Sequence, residues 1–126
     1  MLEITIQGTT YPLEMTVQAF AEISDLCPGR DFKRIDEIRT WPMGDLLRVS
    51  AKILAILSNA AEEKRAFEEP GYEKSPLSPV QVLTLHLQDY FHISSGGILK
   101  VIQECMGTPQ VEVEEEKKTN DPPVSP

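Results

Sequence analysis

The feature that most constrains this chain is a helix-period stretch from about Met43 to Glu69, apolar over roughly half its circumference and stopped by Pro70-Gly71. At about 3.6 residues per turn, Leu46, Leu47, Val49, Ile53, Leu54, Ile56, Leu57, Ala60 and Ala61 spread wider than the stripe a surface helix buries. One neighbour cannot cover such an arc, so the stretch predicts a central helix wrapped by several other elements. Its last third, Glu62-Glu63-Lys64-Arg65, turns charged and is expected to project into solvent, with Phe67 an isolated apolar residue.

The segments on either side supply the wrapping. Leu2-Glu3-Ile4-Thr5-Ile6 alternates apolar and polar, and after Gln7-Gly8-Thr9-Thr10 the alternation resumes at Tyr11, Leu13 and Met15, which predicts a short β-hairpin. Two strands alone are barely stable in water, so the Leu2, Ile4, Ile6 face must lie on helices. Thr16 is placed to cap a helix that runs to about Leu26 and stops at Pro28-Gly29. Asp31 caps a second, short one, in which Phe32, Ile35 and Ile38 share a side before Trp41-Pro42.

Beyond the central helix, residues 71–77 form a polar link, and Ser78-Pro79 is a strong helix start, a cap followed by proline at the first helical position. Read as one helix, the next segment puts Val80, Leu83, Leu87, Tyr90 and Phe91 on one face and Val82 and Leu85 on the other, which implies a second contact surface. Ser94-Ser95-Gly96-Gly97 breaks it, and Ile98, Leu99, Val101, Ile102, Cys105 and Met106 give the last helix a clean apolar stripe.

The expected fold is therefore mostly α (α+β): an N-terminal hairpin packed on about five helices, forming one domain over residues 1–107. From residue 108 to 126 the chain is acidic and proline-rich, with too little apolar area to offset the entropy of ordering, and is expected to be a disordered tail.

Charge and composition then narrow the function. Twenty acids against twelve bases give −8 over 126 residues, a field of the wrong sign for phosphate, so nucleic acid is a poor partner. The apolar runs are broken by charge every few residues and residues 1–30 lack a secretion signal, which points away from membranes. Two cysteines are too few for a disulfide scaffold and read as reduced core residues of a cytosolic protein.

No motif gathers catalytic or ligating groups. His86 and His92 lack the third and fourth partners that zinc needs, and read as surface histidines. Cys27 or Cys105 would need a base and an orienting group to act as a nucleophile, and Cys105 sits on an apolar stripe. Glu62-Glu63 and Glu68-Glu69 read as a solvated helix end rather than a desolvated acid–base pair. Gly96-Gly97 lacks the lysine and spacing of a phosphate loop. Around Gly29-Arg30-Asp31, Lys33 and Arg34 complete the one local basic cluster, read as rim charge or surface. No enzyme and no cofactor are expected; what the chain offers is apolar helical surface, suited to the apolar stripe of a partner helix.

The order of parts resembles the tail assembly chaperones of long-tailed bacteriophages, both siphophages and myophages, and those of prophages. The residues that carry it are the strand pair Leu-Glu-Ile-Thr-Ile-x-Gly-Thr-Thr-Tyr-Pro-Leu, the following Val-x-Ala-Phe-x-Glu-Ile helix, the long alanine- and leucine-rich middle helix, two shorter helices and the acidic tail. The resemblance implies a non-enzymatic protein of the host bacterial cytoplasm, missing from the finished virion. It would coat the helical tape measure protein, help recruit tail tube protein and have scope for self-association. It also implies a longer form made by ribosomal frameshift, for which an A-rich stretch encoding Glu116-Lys117-Lys118 would serve. The contact surface expected from the apolar faces is Leu46, Leu47, Ile53, Leu54 and Leu57 on the central helix with Val82 and Leu85 beyond it, to be tested with Leu54→Asp. Two other classes stay open at this level: a small virion component such as a head–tail connector, and an acidic phage protein that binds a host enzyme.

Overall fold

The computed structural model describes residues 2–93 and 97–107. Two strands, β1 (Leu2–Ile6) and β2 (Thr9–Leu13), form an antiparallel hairpin in which Leu2 faces Leu13 and Ile4 faces Tyr11. Gln7 and Gly8 both take positive φ, 50° and 84°, the backbone of a two-residue turn whose twist matches that of the strands. Period-two alternation sends Ile4, Ile6, Tyr11 and Leu13 inward, all buried, while Thr5 and Thr10 pair through their hydroxyls at 3.0 Å on the outer face.

Helix α1 (Val17–Leu26) starts where Thr16 accepts a 3.1 Å bond from the Ala19 N–H, the cap read from the sequence. After a single turn over Pro28–Arg30, a nine-residue 3-10 segment, Phe32–Thr40, takes the place of the expected short helix. Asp31 caps it through the Lys33 N–H at 3.0 Å. Its apolar residues recur every three positions, the period at which a 3-10 helix stacks side chains in one row. Ile38 is buried at the inner end of that row, and Phe32 stacks on Phe20 of α1 with ring centroids 4.6 Å apart.

Helix α2 (Met43–Glu68) is the axis of the molecule, with β2, α1 and α3 (Pro79–Leu83) all packed against it. Val49, Ala51, Ile53, Leu54, Leu57 and Ala60 are buried together with the hairpin's inner face. Each fully buried Leu or Ile contributes about 1.5–3 kcal/mol, and the small side chains between them let the neighbours approach closely. The Glu14 N–H bonds the Leu57 carbonyl at 3.2 Å, fixing the end of the hairpin against the helix midpoint.

One expectation for α2 is corrected. Glu62 does not project into solvent: it is 4% exposed, and its Oε1 accepts from the Tyr72 hydroxyl at 2.6 Å and the Ser75 N–H at 2.8 Å. The charged end is thus divided, with Glu63, Lys64 and Arg65 exposed while Glu62 holds the returning link, whose Leu77 N–H reaches the buried Ser58 Oγ at 2.9 Å.

A second correction concerns the segment after Ser78. The capping box is present, with Gln81 bonding the Ser78 N–H, and the same side chain donates to the Tyr11 hydroxyl at 3.0 Å. The helix ends after one turn, however, because Thr84 Oγ1 donates to the Val80 carbonyl at 2.9 Å and Leu85 N–H bonds Val82 O, tightening the turn. Helix α4 (Leu87–Ile93) restarts beyond it and packs near β1. Of the face expected inside, only Tyr90 is buried; Val80, Leu83, Leu87 and Phe91 are exposed, and Val82 lies in the core.

Gly97, at φ 87°, leads into α5 (Ile98–Met106), where Ile98, Val101 and Ile102 form the buried stripe. The molecule is mostly helical with an N-terminal two-stranded hairpin, as its sequence predicts. The expected disorder of 108–126, and most of the Ser94-to-Gly97 break, lie outside the described residues.

Candidate partner-binding surface

The seven apolar residues singled out from the sequence separate into two groups. Ile53, Leu54 and Leu57 are 0–1% exposed and Val82 is 3% exposed, all within the core. They are corrected as contact residues: their faces are consumed by the hairpin, α1 and α3, and Leu54→Asp would bury a charge and break the fold rather than report on binding. Leu46, Leu47 and Leu85 are half-buried at the surface.

These three stand at the edge of an apolar surface that sequence reasoning did not assemble. One cleft is walled by Leu47, Leu83, Leu85 and Leu87, and a neighbouring one by Met43, Leu46, Leu47 and Phe91; Leu47 and Tyr90 belong to both. Met43, Leu83, Leu87 and Phe91 are 61%, 49%, 58% and 53% exposed, far above what core residues show. Single exposed leucines are ordinary, but four large apolar side chains around joined clefts form a contiguous patch of the kind that meets another chain. Leu83, Leu87 and Phe91 recur every four residues as an outward stripe, while Val82 and Tyr90 face the core.

The polar candidates are not brought together. His86 and His92 are both exposed, and among the described residues no three His, Cys, Asp or Glu side chains converge as metal ligands. Burial pushes the thiol of Cys105 up to about 11 and, with help from Asp31, also raises that of Cys27, whose Sγ donates to the Ile23 carbonyl at 3.4 Å. Raised thiols are poor nucleophiles. The basic cluster is locally neutralised, with Arg30 on Asp25 at 2.9 Å and Arg34 on Glu37 at 2.8 Å. Its hydrogen bond to Arg34 holds the Glu37 carboxyl below its usual range.

Trp41 is half-buried, Phe67 is 89% exposed at the end of α2, and Tyr72 lies under the Arg65 guanidinium, 4.3 Å from its ring centroid. No helix among the described residues is long and apolar enough to cross a membrane. No family model matches the chain, and no curated protein or solved structure is significantly similar to it.

Proposed function

We propose that this chain is a non-enzymatic tail assembly chaperone of a long-tailed bacteriophage. It shields apolar stripes of the tape measure protein in the host cytoplasm, helps recruit tail tube subunits, and leaves before the virion is complete. The observation that carries the reading is the joined apolar surface of Met43, Leu83, Leu87 and Phe91, with Leu46, Leu47 and Leu85 at its base. Such a surface suits the apolar face of a partner helix. A net charge of −8 keeps many coated copies apart in solution. Affinity per copy is allowed to be weak, because neighbours on one filament raise the effective concentration.

The test is co-expression with the tape measure protein followed by pulldown, comparing the wild type with Leu87→Asp/Phe91→Asp. Both positions are more than half exposed, so the double variant is expected to fold as the wild type does, verified by circular dichroism. Capture is expected to fall at least about tenfold, the scale of losing one or two anchor side chains. Unchanged capture by the folded variant rejects this surface. Finding the chain in purified virions by mass spectrometry rejects the chaperone reading itself and favours a connector.

A further inference from the structure

The joined apolar surface of α3, α4 and the start of α2 has a second property besides its exposure: it is almost without charge. From Ser75 to Leu99 the sole Asp, Glu, Lys or Arg is Asp89, although such residues make up 25% of the chain. Among the described residues no charged side chain lines either cleft, whereas the groove between the 3-10 segment and α5 is walled by Asp36, Arg39 and Lys100. We propose that a second copy of the chain covers this face, in a two-fold symmetric dimer that forms when no other partner is bound.

Charge distribution is the first argument. Each copy carries −8, so two copies repel unless they meet where neither presents acids. The apolar face lies at the Met43 end of α2, whereas residues 62–74 at its other end hold five acids against three bases. From Leu47 to Glu68 the helix rises about 30 Å, several times the roughly 8 Å over which charges act at physiological salt. Contact through the apolar face therefore keeps both acidic ends away from the interface. Loss of charge together with exposed Met43 and Phe91 is also the composition of an interface core.

Shape is the second. Raised side chains and hollows occur together: Leu83 and Leu87 stand at a cleft of about 100 Å³, and Met43 and Phe91 at a neighbouring one of about 290 Å³. A face that carries both can receive its own side chains, which is what a self-complementary contact across a two-fold axis requires.

Area is the third. Four large side chains about half exposed make a patch of a few hundred Å². Two such patches with their rims approach the roughly 1,000 Å² at which specific contacts begin. The dimer is thus weak, and a partner helix can displace it from Leu83, Leu87 and Phe91. That displacement rests on the proposed function; the dimer itself does not.

The test uses the purified full chain with no tape measure protein, so its outcome is separate from that of the pulldown. At about 0.1 mM, where weak contacts are populated, sedimentation equilibrium is expected to give a mass well above the 14.1 kDa of one chain and approaching twice that. The mass should hold or rise in about 0.5 M salt, which screens the repulsion between copies. In a mixture of isotope-labelled and unlabelled chain, filtered nuclear magnetic resonance should show the Leu83 and Leu87 methyls of one copy touching the same face of the other. Folded Leu87→Asp/Phe91→Asp should sediment as a single chain; if it unfolds, the wild-type contacts decide alone. A single-chain mass for the wild type overturns the proposal, as does loss of the dimer in high salt or a mass that grows beyond two copies. Intermolecular contacts confined to other residues, or a folded double variant that still pairs, overturn it too.

Discussion

Ser58 and Ser50 lie on α2 two turns apart, and both are almost wholly buried, at 0% and 1% exposure, yet alanine is expected to affect them differently. Ser58 Oγ accepts from the Leu77 N–H at 2.9 Å, and Leu77 is itself only 2% exposed, so water cannot replace a lost acceptor. Ser50 Oγ instead donates to the Leu46 carbonyl of its own helix at 2.7 Å, and that carbonyl keeps its α-helical partner when the hydroxyl is removed. An orphaned buried donor costs about 1–3 kcal/mol. Ser58→Ala is therefore expected to cost about 2 kcal/mol, and Ser50→Ala to stay within about 0.5 kcal/mol as alanine's better helix propensity offsets the lost bond. For a domain of this size each kcal/mol lowers Tm by about 4–8 °C. Ser58→Ala should thus melt roughly 8–16 °C below the wild type and Ser50→Ala almost with it, measured by calorimetry on the three proteins together. Equal shifts for the two alanine variants would refute the idea that anchoring the 70–78 link is what the buried hydroxyl does.

Three further outcomes follow from the geometry. Gly8 has φ 84° and no atom within 4 Å of where a Cβ would stand, so Gly8→Ala meets only backbone strain; a loss of about 1 kcal/mol is expected, and an unchanged melt would contradict the turn. At pH 8 the Cys105 thiol, raised by burial from 9.0 to about 11, should react with a disulfide reagent about a hundredfold more slowly than an ordinary cysteine; its preference for the neutral form is fully present below 9.0, and is lost as pH rises through about 11, so destabilisation near pH 7 from this group would be the wrong sign. The hydrogen bond to Glu62 is the main cause that raises the Tyr72 phenol, so Glu62→Ala should let Tyr72 titrate at lower pH in an ultraviolet titration and speed hydrogen exchange at the Ser75 amide; an unmoved phenol would show that the 2.6 Å bond is not formed in solution.

The elements were legible in the sequence wherever one local device decided them. Thr16, Asp31 and Ser78 each cap the element that follows, and Pro70-Gly71 stops α2 as expected. The spacing of Phe32, Ile35 and Ile38 marked a common face but did not separate an α turn from a 3-10 turn, since both place residues three apart near one another. Glu62 was misread because nothing local distinguishes it from Glu63; only the returning link at Tyr72 and Ser75 gives it a buried role, and that is a contact across 10 to 13 positions. Val82 was misplaced for a different reason: a helical wheel sorts residues by face but does not say which face meets the body, and here Val82 is turned inward while Val80 and Leu83 are exposed.

The way α3 and α4 lie on the body decides which of their apolar side chains are exposed. The helical wheel put Leu83, Leu87 and Phe91 with Tyr90 on one face, expected against the core, and Val82 and Leu85 on the other, expected outward. The assignment is the reverse, and already so within α3, where Val82 is buried and Val80 and Leu83 are exposed. Ile53, Leu54 and Leu57 hold α2 to its neighbours, while Leu83, Leu87 and Phe91 contribute little to the core. Substitutions in the first set must destabilise the fold and lower Tm, a leucine truncated to alanine costing about 2–5 kcal/mol. Those in the second should leave Tm within a few degrees, and a loss of folding on Phe91→Asp alone would mean that α4 is held to the body more by its outer face than by Tyr90.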